Sequence, residues 1–237
     1  MKVHVFKSKE MIDQEVATLI VSKINAKPNF VIGLATGSTP LGIYQELISL
    51  YQQNKVSFKD VTSFNLDEYV GLEKMHPQSY RYYMNHHLFS KTDFNVENTF
   101  FPGETSENYD LLIASKGGID LQILGIGGNG HIAFNEPGTS FDALTHETLL
   151  AHQTRLDNSR FFNSLEEVPT KALTMGLGSI MCAKEIILVA TGLNKAEAVK
   201  SMIEGDINVN CPASILQNHI NVHIYLDEDA ASLLEGN

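Results

Sequence analysis

The stretch Ile119-Asp-Leu-Gln-Ile-Leu-Gly-Ile-Gly-Gly-Asn-Gly-His-Ile-Ala-Phe-Asn-Glu-Pro137 runs a short apolar segment straight into a glycine-rich turn followed by a His and a Glu. Gly125, Gly127 and Gly130 satisfy G-x-G-x-x-G, which marks a dinucleotide site only if a helix follows the turn. Pro137 stands seven residues past the last glycine and leaves little room for a regular helix on which a pyrophosphate could rest. The turn therefore closes a strand, and its chemistry belongs to His131 and its neighbours.

Four more apolar runs resemble that segment: Phe30 to Ala35, Val61 to Leu66, Glu185 to Ala190 and Val222 to Leu226. Between runs lie amphipathic stretches. Ile12, Val16, Leu19, Ile20 and Ile24 mark one helix face, and Tyr44, Leu47, Ile48 and Tyr51 mark another, both at 3.6-residue spacing. Buried strands alternating with helices predict an α/β fold, with an open, mostly parallel sheet covered by helices on both faces. The 237 residues, 43% hydrophobic, suffice for one substantial core, and no repeat or linker proposes a boundary, so a single domain over residues 1–237 is expected. The segment from Phe141 to Val168 is the least regular, which predicts a lid or binding loop within residues 141–176.

With 17 basic and 28 acidic residues the formal net charge is −11, which disfavours nucleic acid and anionic membrane as partners. No segment approaches the roughly 20 apolar residues of a membrane span. Two cysteines, Cys182 and Cys211, fit neither a disulfide framework nor a zinc-ligand spacing, so a cytoplasmic location is expected.

In open α/β sheets ligands collect beyond the carboxyl ends of the strands, where the polar clusters of this chain stand. Thr36-Gly37-Ser38-Thr39-Pro40 offers hydroxyls, small residues and a proline suited to a first helical turn, as an anion-binding helix start requires; a plain Thr39 N-cap is the alternative. Asp67 and Glu68 end an apolar run, where a carboxylate could act as a general base or form a solvated acidic turn. His131 has Asn129 and Glu136 within reach to orient its ring, although a lone histidine is more often structural. There is no H-E-x-x-H, and the deaminase set of H-x-E with P-C-x-x-C is absent, so no metal is expected. Arg160 and Lys195 are either phosphate clamps or solvated charges.

Phe64-Asn-Leu-Asp-Glu-Tyr69 together with Gly127-Gly-Asn-Gly-His-Ile-Ala-Phe-Asn-Glu-Pro137 resembles the glucosamine-6-phosphate deaminase family. Ala35-Thr-Gly-Ser-Thr-Pro40, Asn158-Ser-Arg-Phe-Phe162 and Lys195 follow in the family's order, so the resemblance spans nearly the whole chain. It implies a Rossmann-like fold without a cofactor, and isomerisation coupled to deamination that yields fructose 6-phosphate and ammonia. It also implies roles: Asp67 would move the proton from C2 toward C1, and His131 would assist ring opening, held by Glu136 and Asn129. Ser38, Arg160, Lys195 and the Thr36–Gly37 backbone would grip the phosphate.

Two departures from the family pattern stand out. Several members carry Asp where this chain has Asn129, and a neutral amide stabilises an imidazolium less than a carboxylate does. Hexameric members sense N-acetylglucosamine 6-phosphate through basic residues after F-N-E-P and a C-terminal extension, whereas Gly138 to Thr148 holds no Arg or Lys and the sequence stops at Asn237. An unregulated enzyme, with a monomer slightly favoured over a homo-oligomer, is expected. The competing readings are a 6-phosphogluconolactonase-like hydrolase and a non-catalytic sugar-phosphate sensor.

Overall fold

The computed structural model describes residues 1–104, 108–150, 155, 156, 159, 162 and 164–235. Each of the five apolar runs contains a strand of one seven-stranded sheet: β2 (Val31–Leu34), β3 (Thr62–Asn65), β6 (Leu121–Leu124), β9 (Ile186–Ala190) and β10 (Val222–Asp227). Two edge strands, β1 (Lys2–Phe6) and β5 (Thr99–Phe100), complete the order β1-β10-β9-β6-β2-β3-β5, and every pairing in it is parallel. Strands β2, β6 and β9 are buried along their whole lengths because both faces are covered.

Alternation along β9 divides the core in two. Ile187 and Val189 join Ile32, Leu34 and Ile123 under the helices α1 (Lys9–Ala26) and α2 (Leu41–Gln52). Ile186, Leu188 and Ala190 face the other way, against helix α4 (Tyr109–Ser115) and the helices Leu177–Met181 and Ala196–Ile203. Helix α1 starts where the Ser8 side chain accepts from the Met11 N–H, and it stops at Ala26 because Lys27 precedes Pro28 and is pushed out of helical geometry.

Chain order fixes where a ligand can enter. From β2 the chain steps outward through β3 to β5; it returns to the other side of β2 at β6 and steps outward again through β9 to β10. Connections at the carboxyl ends of β2 and β6 therefore diverge and leave a crevice between them. The two loops meet tightly at its floor, since a Cβ on Gly125 would lie 3.3 Å from Thr39 Oγ1.

A second, antiparallel sheet of order β4-β8-β7 forms a wall beside that crevice, from β4 (Asp67–Tyr69), β7 (His146–Leu149) and β8 (Lys171–Thr174). The polypeptide passes from one sheet to the other at Leu66, whose carbonyl accepts from Met175 N at 2.7 Å. Asp67 and Glu68, for which the sequence left open a general base or a solvated acidic turn, are thus buried strand residues. Part of the irregular stretch after Phe141 is likewise strand, as β7.

Candidate active site

The crevice opens into a cavity of about 620 Å³, to which the ends of β2, β3, β6 and β9 all contribute. Thr36, Gly37, Ser38 and Thr39 line it from β2, Asp67 from β3, Gly125 to Gly128 and His131 from β6, and Lys195 from β9. Tyr69, Tyr80, Phe134 and Phe162 add an aromatic wall, with Phe162 set edge-on against Tyr69. Asn129 and Glu136 are absent from the lining and sit behind His131. Arg160 and Asn158 lie outside the described residues.

The segment Thr36–Pro40 leads into α2, with Pro40 one position before the first helical residue. No side chain caps this helix, so Thr39 is not the N-cap that the sequence allows. Three carbonyls of this stretch nonetheless have donors. Tyr44 Oη donates to Ala35 O at 2.6 Å, Tyr83 Oη donates to Gly37 O at 2.6 Å, and Lys9 Nζ donates to Thr39 O at 3.1 Å. Gly37 has φ of +89°, a conformation that favours glycine.

Asp67 and Glu68 divide their roles by the pleat of β4. Glu68 turns to helix α3 (Tyr80–His87): its carboxylate accepts from Tyr80 N at 2.9 Å and Arg81 N at 2.8 Å, as an anion at a helix N-terminus should. Asp67 faces the cavity with only 7% of its surface exposed. Burial, and then the charge of Glu68, push the Asp67 carboxyl up to about 8. A carboxylate so poised is a far stronger base than a solvated one.

His131 is oriented by a two-step relay. Its Nδ1 lies 2.7 Å from Asn129 Oδ1, and Asn129 Nδ2 donates to Glu136 Oε2 at 2.8 Å. An ionised Glu136 only accepts, so Asn129 must turn its NH₂ toward Glu136 and its oxygen toward the ring, which makes His131 Nδ1 the N–H nitrogen. In the neutral ring Nε2 then carries the lone pair that takes or gives a proton. Glu136 Oε2 is also 3.6 Å from Nδ1, close enough to stabilise an imidazolium directly. A Cβ on Gly127 would fall 2.1 Å from His131 Cε1, so the glycine is what lets the ring lie flat against the turn.

The two halves of the site are bolted together through β8. Thr174 pairs with Asp67 across the small sheet, and its Oγ1 accepts from Phe134 N at 3.1 Å. Asn135 Nδ2 donates to Ile132 O at 2.9 Å and to Met175 O at 2.8 Å. Asp227, at the end of β10, accepts from Gly192 N through both oxygens and so holds the loop that presents Lys195. Sequence reading missed these supports because most of them join residues about 35 to 40 positions or more apart along the chain. Among the described residues, no group of three His, Cys, Asp or Glu side chains is placed to hold a metal ion, and no helix is long and apolar enough to cross a membrane.

Comparison with known proteins follows the same lines. Residues 7–224 match the family model for glucosamine-6-phosphate isomerases/6-phosphogluconolactonase. A glucosamine-6-phosphate deaminase of Mycoplasma mycoides subsp. mycoides is 50% identical over 238 residues, covering 99% of this chain and 98% of that one. One from Thermoanaerobacter sp. strain X514 is 48% identical over 241 residues, covering 99% and 95%. The solved structure of a monomeric glucosamine-6-phosphate deaminase superposes with a TM-score of 0.95 at 45% identity, over 99% of this chain and 100% of that one. A 6-phosphogluconolactonase from Trypanosoma brucei shares the fold, with a TM-score of 0.76, 19% identity and coverage of 98% of each chain.

Proposed function

This chain belongs to the glucosamine-6-phosphate isomerase/6-phosphogluconolactonase family, and from that premise we infer that its cavity converts glucosamine 6-phosphate and water to fructose 6-phosphate and ammonia. The observation that carries the reading is the buried, basic Asp67 at the cavity wall. A lactone hydrolase needs no group to remove a proton from carbon, whereas an aldose-ketose isomerisation does.

The chemistry follows from the positions. His131 Nε2 takes the proton from the C1 hydroxyl and returns one to the ring oxygen, opening the pyranose; the Asn129–Glu136 relay stabilises the ring while it is cationic. Asp67 then removes the C2 proton as O1 takes up a proton, giving an enolamine across C1 and C2; it delivers the carbon proton to C1 as the nitrogen gives one up, so that C1 becomes an alcohol carbon and C2 an imine. Water adds to that carbon and ammonia departs, so the bond lost is C2–N and the bond gained is C2–O. Thr36, Gly37, Ser38 and Lys195 hold the phosphate at the far end of the sugar.

Of residues 141–176, proposed from the sequence as a lid, β8 is a fixed part of the small sheet; a covering role for the rest is supported by Phe162, whose ring reaches Tyr69 at the cavity wall. The enzyme works as a cytoplasmic monomer without an allosteric effector, a reading supported by the likeness to a monomeric deaminase and by the lack of Arg or Lys from Gly138 to Thr148. Supplying glucosamine 6-phosphate and measuring ammonia and fructose 6-phosphate, with and without chelator, tests the activity; no turnover would reject it. For ring opening, replacing His131 with Asn should cost more on the cyclic sugar than on an open-chain analogue, and equal losses would remove His131 from that step.

A further inference from the structure

The phosphate loop is gripped at every second carbonyl. Ala35, Gly37 and Thr39 each give their oxygen to a donor on a different helix, namely Tyr44 of α2, Tyr83 of α3 and Lys9 of α1. A peptide carbonyl turned toward a phosphate repels it, while the amide N–H groups attract it, so an anion-binding loop works only if its peptide planes are fixed. Tyr44 is buried and part of the core, and Lys9 is also paired with Asp13 at 2.7 Å. Tyr83 differs. Its hydroxyl reaches across the cavity mouth to Gly37 at 2.6 Å, and its ring is steadied by His87, with centroids 4.5 Å apart.

We propose that Tyr83 is a positioning residue for phosphate recognition: its hydroxyl holds the Gly37–Ser38 peptide in the orientation that presents N–H rather than C=O to the anion. The proposal rests on the phosphate-loop reading given above. Gly37 has no side chain to restrain it and sits at φ of +89°, so this peptide is the one in the loop most able to flip. Burial raises the Tyr83 phenol above its ordinary value, which keeps the hydroxyl a donor throughout the working range.

The same helix carries the second consequence. Helix α3 begins at the Glu68 carboxylate, next to Asp67, and ends its first full turn at Tyr83 on the phosphate loop. Arg81, between them, is fastened to Glu104 and to Thr99, with its Nη1 2.6 Å from Thr99 Oγ1. A rigid helical turn thus sets the separation between the proton-abstracting carboxylate and the phosphate grip.

Tyr83→Phe removes the hydroxyl and keeps the ring. It should raise KM for glucosamine 6-phosphate about three- to tenfold, the range for one lost hydrogen bond, with a parallel rise in the inhibition constant of inorganic phosphate and less than about a twofold change in kcat. Ser38→Ala and Lys195→Ala are measured beside it. If those two raise KM and Tyr83→Phe does not, the positioning role is overturned while the phosphate loop stands. If Tyr83→Phe lowers kcat at constant KM, the hydroxyl acts in the chemistry and the proposal also falls. Should none of the three change KM or phosphate inhibition, the loop reading itself fails and takes the proposal with it. Thermal melting of each variant shows that a loss is not a folding defect.

Discussion

At the scale of single residues, the proposed base Asp67 is a carboxylate that burial works against. Asp67→Asn should lower kcat by at least about 100-fold, the low end for loss of a positioned general base, read as ammonia release under saturating substrate. The same substitution should stabilise the fold, with a definite pH signature. A folded-state value of about 8, above the ordinary 3.8, means that the folded protein binds the proton more tightly than the unfolded chain. The contribution of this group to stability is therefore complete below about pH 4 and lost as pH rises toward 8. Melting temperatures of wild type and Asp67→Asn should match near pH 4 and separate in favour of the variant up to pH 8; a gap independent of pH would contradict the buried-acid assignment. Gly127→Ala tests His131 in the same way, because the added methyl would occupy the ring's place at 2.1 Å from Cε1. It should cost about 10-fold or more in kcat through misplacement of the imidazole, with ordinary secondary structure by circular dichroism.

At the scale of elements, the decisive event is the passage of one strand from the parallel sheet into the antiparallel one at Leu66. It places Asp67 toward the cavity and Glu68 under helix α3, a division that the adjacent letters D and E cannot disclose. Glu68→Gln should lower the melting temperature, because both helix N–H groups lose a charged acceptor and one of them faces an NH₂ in place of an oxygen. It should also move the acid limb of kcat/KM to lower pH, by the smaller part of the Asp67 shift, since burial outweighs Glu68 in raising Asp67. An unmoved limb would separate the two carboxylates electrostatically. The legibility of the elements follows their burial. Strands β2, β6 and β9 are apolar because both faces are covered, and their runs announce them. Strand β1 is an edge, with Val3 and Val5 about 40% exposed; β4 is Asp-Glu-Tyr, and β7 and β8 carry polar residues on partly exposed positions, so none leaves an apolar run to read. Motif wording located His131 and Asp67; the supports Thr174, Asp227 and Tyr83 come from distant segments and acquire meaning only once folded.

For the whole molecule, the divergence of the chain at β2 and β6 collects into one crevice residues that are as far apart in sequence as Thr36 and Lys195. The proposed monomer should sediment as a single species of about 26 kDa at assay concentration, and its saturation curve should be hyperbolic and indifferent to N-acetylglucosamine 6-phosphate. A sigmoidal curve straightened by that compound would restore the allosteric reading. Helix α3, fastened to the base strand at one end and to the phosphate loop at Tyr83, does not stretch. On the proposed roles of Asp67 and the Thr36–Thr39 loop it is a gauge that counts carbons: a sugar whose phosphate and amine are separated by the wrong number of atoms would satisfy one end or the other, never both. An amino-pentose 5-phosphate is therefore expected to occupy the cavity and block it, releasing no ammonia.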